Sequence, residues 1–247
     1  MRLAIIITLY SLSIYKHPTL AACLYKSLLW YRFAPMAVSK TGAKIAQYLL
    51  EINAIQLRPN EPFTWASGWK SPIYCDNRLS LSYPEVRSYI KKKLAKKIQS
   101  AYPGVEAIVG VATAGIAPGA LAADVLDLPF AYIRPEPKKH GRQNMIEGYL
   151  TKGMKTVVVE DLISTGKSSL KAVEALRESN VQVLGLASIF TYGFEEAELN
   201  FKNAKCRYFS LCDYEALIKT ARQEGYIEKD QVENLKKWRE APDKWGV

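Results

Sequence analysis

The chain has four cysteines in 247 residues, at positions 23, 75, 206 and 212, with no CxxC pair, and its two histidines make no Cys/His cluster at zinc spacing. A disulfide scaffold and a zinc module are both excluded, and the thiols read as reduced, in a reducing compartment. Long apolar runs are also missing. Leu3–Tyr10 is far too short to span a bilayer, and Lys16, His17 and Pro18 break the apolar character of the next residues. No transmembrane anchor is expected. A Walker A loop fails because Asp161 stands five places before Gly166-Lys167-Ser168 where its first glycine belongs, and Gly110, Gly115 and Gly119 lack the GxGxxG spacing. ATPase and dehydrogenase readings lose their main support. No internal repeat is present.

Acid is absent from the start of the chain: Arg2, Lys16, Lys26 and Arg32 meet no carboxylate before Glu51. Residues 1–35 are therefore a distinct segment. An organelle-targeting peptide and a signal sequence cut near Ala21–Cys23 are alternatives to the preferred reading, an upstream extension with translation starting at Met36. The whole chain carries 34 basic and 24 acidic residues, a charge of +10 that suits nucleic acid, an acidic membrane or a phosphorylated small molecule. Without the four bases of the leader the count is 30 against 24, or +6, which weakens the case for nucleic acid.

With 49% apolar residues the chain can bury an ordinary core, and its length allows one large domain or two small ones. Helical periodicity predicts a helix over about 39–53 and a basic helix over 84–99, with Val86, Tyr89, Ile90, Leu94 and Ile98 inward and its lysines solvated. Between them, residues 63–78 mix Trp65, Trp69 and Tyr74 with Gly68 and Pro72, which favours short strands and turns. Then strands at 105–111, 129–133, 147–151, 155–160 and 181–191 alternate with helices at 118–127 and 167–179. That alternation predicts an α/β fold with a parallel, doubly covered sheet over about 105–191. Ligands of such sheets bind at the strand carboxyl ends, which groups the loops 112–117, 134–146 and 161–166. Two further helices, Tyr214–Glu224 and Lys229–Arg239, are expected near the C-terminus.

One constellation carries chemistry. The apolar strand Thr156–Val159 runs into Glu160-Asp161, then Leu162, Ile163, Ser164, Thr165, Gly166, Lys167, Ser168 and Ser169, and then an amphipathic helix. Two carboxylates at a strand end can accept from ribose hydroxyls or from water on Mg²⁺. The small residues behind them leave N–H groups and hydroxyls at a helix N-terminus, a site for a phosphate dianion. Simple helix capping by Ser164 or Thr165 is the competing explanation. The loop 134–146 adds Arg134, Lys138, Lys139, His140 and Arg142 against a single early acid, Glu136. Such donors would neutralise a departing pyrophosphate, and Gly141 would let the loop close over the site.

Four apolar residues, two acids and a Ser/Thr/Gly loop resemble the donor motif of the type I phosphoribosyltransferases. Phe63–Arg78 resembles the N-terminal signature of the orotate phosphoribosyltransferases, and Arg134–Gly141 resembles their mobile catalytic loop. The resemblance runs from about Met36 to the C-terminus. It implies a Rossmann-like core with a small N-terminal hood in a domain spanning 36–247, and transfer of phosphoribose from 5-phosphoribosyl 1-diphosphate to orotate in pyrimidine synthesis. It further implies Mg²⁺ held through the donor diphosphate and water near Asp161, and a cytoplasmic homodimer whose loop reaches the neighbouring site. Lys138, His140 and Asp161 would be catalytic, with Arg134, Lys138, His140 and residues 160–168 on the donor and Ser164, Lys70 and Tyr74 on orotate. Departures are Pro135 after the loop Arg, Ala66, Thr113-Ala114, and no base-binding Arg near Phe190–Tyr192. A purine enzyme would lack the 63–78 signature. A donor-sensing regulator that binds nucleic acid is the alternative of another class, although no helix-turn-helix precedes the core. Neither nucleic acid nor membrane is an expected partner.

Overall fold

The computed structural model describes residues 39–65, 67–136 and 145–246. The expectations for residues 1–35, Ala66, Lys138, His140 and Gly141 lie outside them. No helix of the described residues is long and apolar enough to cross a membrane.

Ser39 opens helix α1 (Lys40–Glu51) by accepting from the Gly42 N–H at 2.9 Å, and the helix buries Ile45, Ala46, Leu49 and Leu50. Strand β1 (Ile55–Leu57) pairs antiparallel with β4 (Ile73–Cys75), and β2 (Phe63–Thr64) with β3 (Lys70–Ser71). This small hood realises the short strands expected for 63–78. A 3₁₀ helix, Asn77–Ser82, leads into α2 (Pro84–Ala101), where Pro84 sits in the first turn, the place that tolerates its missing N–H. Val86, Ile90, Leu94 and Ile98 face inward as expected, while Lys97 departs from a purely solvated face: its ammonium donates to the Ser210 carbonyl at 3.1 Å and lies over the Phe209 ring.

The central sheet contains β5 (Ala107–Val111), β6 (Phe130–Ile133), β7 (Ile146–Glu147), β8 (Lys155–Ile163), β9 (Gln182–Thr191) and β10 (Tyr208–Asp213), in the order β10-β9-β8-β5-β6-β7. Helices α3 (Ile116–Leu126), α4 (Lys167–Glu178) and α5 (Glu195–Asn203) are interleaved, and α6 (Tyr214–Gln223) and α7 (Gln231–Glu240) complete the helices of the described residues. From β5 the chain builds outward through β6, then returns to the other side of β5 for β8, so the strand order reverses between β5 and β8. The carboxyl end of that pair is where α/β sheets bind ligands.

Three sequence expectations are corrected. The sheet is mostly rather than wholly parallel, because β7 pairs antiparallel with β6 and spans two residues instead of 147–151. Strand β8 continues to Ile163, so Glu160 and Asp161 lie inside the strand and the loop behind it shrinks to 164–166. The sheet also extends beyond residue 191: α5 and β10 are additions to the expected elements, and β10 adds a sixth strand parallel to β9.

Candidate active site

Strand alternation decides where the two acids go. In β8, Val157 and Val159 belong to the core under α1, α2 and α3, whereas Val158 belongs to the core under α4 and α5. Continuing the period, Glu160 falls beneath α4 and Asp161 on the hood face. Glu160 is 6% exposed; its Oε2 accepts from the Ser169 hydroxyl at 3.2 Å and its Oε1 from the Asp161 N–H at 3.1 Å. Burial, reinforced by the neighbouring Asp161 carboxylate, pushes the Glu160 carboxyl up to about 8. Burial also raises Asp161, against the pull of hydrogen bonds and of the Arg78 charge.

Beyond β8 the loop turns through Gly166, whose φ of +77° lies in the left-handed region, and a Cβ there would stand 2.6 Å from the Phe201 ring. Gly166 itself is the N-cap of α4, and no side chain caps the helix. Capping by Ser164 or Thr165 is thereby set aside. Their hydroxyls, and the first-turn N–H groups of α4 at Lys167 and Ser168, are left for an anion. The Thr165 carbonyl is tied back by the Asn200 amide at 3.0 Å, which fixes the loop against α5.

The second loop of the switch point, 112–115, is pressed against β8 at Val159. A Cβ on Gly115 would meet the Val159 carbonyl at 2.5 Å and the Val111 carbonyl at 2.7 Å, so only glycine lets the turn dock between β5 and β8. The Ala112–Thr113 peptide is cis, and α3 starts without a side-chain cap.

The hood closes the third side. Asn77, 2% exposed, donates its side-chain amide to the Asp161 carbonyl at 2.9 Å. Asp76 caps the 3₁₀ helix by accepting from the Arg78 N–H at 3.1 Å and also grips the Arg78 guanidinium. Asn77, Arg78, Ala114 and Asp161 line one small recess walled by the 3₁₀ helix, α2 and α3.

The remaining expected residues are spread around this centre. Leu162 and Ile163 pack into the two cores, and the Ile163 carbonyl is taken by the Tyr192 N–H at 3.1 Å. Lys167 turns its ammonium to Glu196 at 2.7 Å, so only its backbone faces the loop. Arg134 lies 3.5 Å from Glu147, bracing the base of the segment after β6. Lys70 donates to the Thr64 hydroxyl at 2.9 Å within the β2–β3 hairpin, and Tyr74, 43% exposed, packs on Phe63. Neither is joined to the 160–168 segment by a hydrogen bond among the described residues. Near Phe190–Tyr192, where a base-binding Arg is lacking, Tyr192 is buried instead among Trp65, Phe194 and Trp238.

Asn77 had no role of its own in the sequence, and Ser169, expected among the hydroxyls open to a phosphate, is instead buried on Glu160. Ser169 was detectable: it shares a helical face with Ala172, Val173 and Leu176, and a hydroxyl in an apolar stripe marks a buried partner. Asn77 reaches 84 positions along the chain, which no local pattern reports. As for a metal, no group of three or more His, Cys, Asp or Glu side chains among the described residues could hold an ion. With Glu160 buried beneath α4 and engaged by Ser169, Asp161 is the carboxylate here suited to meet a hydrated Mg²⁺ that takes its other ligands from substrate.

The profile of the phosphoribosyl transferase domain matches residues 82–216, which contain both switch-point loops. The orotate phosphoribosyltransferase of Cytophaga hutchinsonii is 57% identical over 202 residues, covering 82% of this chain and 97% of that protein. Among solved structures, the orotate phosphoribosyltransferase from Aeropyrum pernix is 28% identical with a TM-score of 0.64, covering 74% of this chain and 99% of that one. Leishmania donovani UMP synthase has the same fold over 80% of this chain at a TM-score of 0.68 and 22% identity, and this chain spans 42% of its length. The switch-point site and these likenesses lead to one conclusion: the chain belongs to the phosphoribosyl transferase domain family and, within it, to the orotate phosphoribosyltransferases.

Proposed function

We propose that the segment Glu160–Ser168 holds 5-phosphoribosyl 1-diphosphate while its phosphoribosyl group passes to N1 of orotate. The products are orotidine 5′-phosphate and pyrophosphate, and the enzyme is a pentosyltransferase of pyrimidine synthesis. The observation that carries this is the uncapped start of α4 directly behind two carboxylates at the switch point. The 5′-phosphate takes the N–H groups of residues 164–168, and Asp161 accepts from the ribose hydroxyls on the hood face. Glu160, held by Ser169, keeps Asp161 in place from below.

As the C1′–oxygen bond to diphosphate breaks and the N1–C1′ bond forms, positive charge grows on the ribose and negative charge on the leaving group. Asp161 lies beside the first. Arg134, Lys138 and His140 are assigned to the second by likeness to the family's loop, and Ser164, Lys70 and Tyr74 to orotate. Mg²⁺, bound through the diphosphate and water near Asp161, would add charge neutralisation on the leaving group. The curated relatives are enzymes, and no observation favours the nucleic-acid-binding regulator. Decline of orotate absorbance that requires both the ribosyl donor and Mg²⁺ tests the reading. No consumption under those conditions would overturn it.

The same proposal includes a cytoplasmic location and a homodimer in which Lys138 and His140 serve the neighbouring site. Free thiols at Cys75, Cys206 and Cys212 suit such a reducing compartment. Lys138→Ala and Asp161→Asn chains, each nearly inactive, should complement when mixed, because one site of each mixed dimer draws both defects and leaves the other sound. Recovery should approach about a quarter of wild-type activity if exchange is random and sites are independent. Verified exchange without recovery would leave the loop acting in its own chain.

A further inference from the structure

Arg78 belongs to the hood signature and has no task of its own in the site described above. Its guanidinium is oriented by one neighbour: Nε donates to Asp76 Oδ1 at 2.7 Å and Nη2 to Asp76 Oδ2 at 2.8 Å, which leaves Nη1 without a partner among the described residues. The side chain is nevertheless 62% exposed, so this fork is held at a surface rather than buried for stability. Asn77, the next residue back, is bonded to Asp161, which ties the position of Arg78 to the end of β8. Arg78 also lines a small recess together with Asp161 and Ala114, walled by the 3₁₀ helix, α2 and α3. Ala114 belongs to the turn before α3, where the Ile116 N–H is taken by the Thr113 carbonyl at 3.3 Å. A guanidinium with a donor free among the described residues and the Asp161 carboxylate thus border the same recess, an arrangement that suits a phosphate group held next to that carboxylate.

We propose that Arg78, aimed by Asp76, binds the diphosphate of the ribosyl donor and the pyrophosphate product from the hood side of the site. The inference rests on the reading of the protein as an orotate phosphoribosyltransferase and adds a phosphate-binding residue outside residues 134–146 and 160–168. Asp76 is a positioning residue: it touches no substrate and fixes the fork. The Asp76 carboxyl is held below its usual range by its bonds to Arg78, so the clamp persists through the neutral range.

The test is pyrophosphate binding by calorimetry with Mg²⁺, together with KM values for donor and orotate, in wild type, Arg78→Ala, Arg78→Lys and Asp76→Asn. Arg78→Ala should weaken pyrophosphate binding and raise the donor KM about 10- to 100-fold, the size of one charge-assisted hydrogen bond, with the orotate KM within about twofold of wild type. Arg78→Lys, which keeps charge without the fork, should recover part of this, and Asp76→Asn should lose less than Arg78→Ala in the same two quantities. Melting temperatures check folding, and if Arg78→Ala does not fold, the comparison rests on Arg78→Lys. Unchanged pyrophosphate affinity, or a loss confined to orotate, would overturn the proposal. Absence of turnover in wild type would instead fault the functional reading, and pyrophosphate binding would still judge Arg78.

Discussion

The Asn77 side-chain amide donates to the Asp161 carbonyl at 2.9 Å, a bond between residues 84 positions apart. It pins the hood to the one strand that carries the acidic pair. Both groups are sheltered, so removing the amide strands a carbonyl with nothing to replace the donor.

Asn77→Ala should cost about 1–3 kcal/mol of stability and lower kcat/KM, because the carboxylate loses the support that sets its height at the strand end. Denaturant titration and steady-state kinetics measure both. A variant as stable and as active as wild type would show that the hood is placed by packing alone.

The buried Glu160 predicts a pH dependence of known sign. Its folded carboxyl is pushed up to about 8 from the ordinary 4.5, so between those values the unfolded chain has released a proton that the folded chain retains. Its contribution is therefore fully present below about pH 4.5 and is lost as pH rises toward about 8. Glu160→Gln removes that loss. The stability difference between Glu160→Gln and wild type should grow in favour of the variant from pH 4.5 to pH 8, as read by denaturant titrations at several pH values. Parallel curves would mean that Glu160 is ionised in the folded protein.

Much of this site was legible in the chain. Val157–Val159 announced a buried strand, and the acids and small residues after it announced a ribose-phosphate cradle. The division of labour between Glu160 and Asp161 was not, because it depends on which face of the pleat each occupies, and the polar pair at 160–161 masks the continuation of the strand to Ile163. Helix α5 escapes notice since it is short and acidic, with only Ala197 and Phe201 buried, and leaves no apolar period to see. Strand β10 hides for a related reason: as an edge strand it is only half-buried over Tyr208–Ser210.

Trp238 anchors α7 at the centre of an aromatic group with Trp65, Tyr192, Phe194 and Tyr214, fully buried, with its indole N–H unpartnered among the described residues. Trp238→Ala should cost about 3–5 kcal/mol. Trp238→Phe retains a ring and removes the unpaired donor, so its cost should stay below about 1.5 kcal/mol. Equal losses in thermal or denaturant melts would show that the site needs the full indole volume rather than any aromatic ring.

The account centres on Asp161 as the carboxylate that meets the ribosyl donor. The most direct measurement is turnover of orotate by Asp161→Asn, set beside its melting curve. Asparagine keeps the shape and the main-chain bond to Asn77 but loses the charge, so turnover should fall about 100-fold or more while stability shifts by no more than about 1 kcal/mol. Turnover within a few-fold of wild type would contradict the assignment of the cradle.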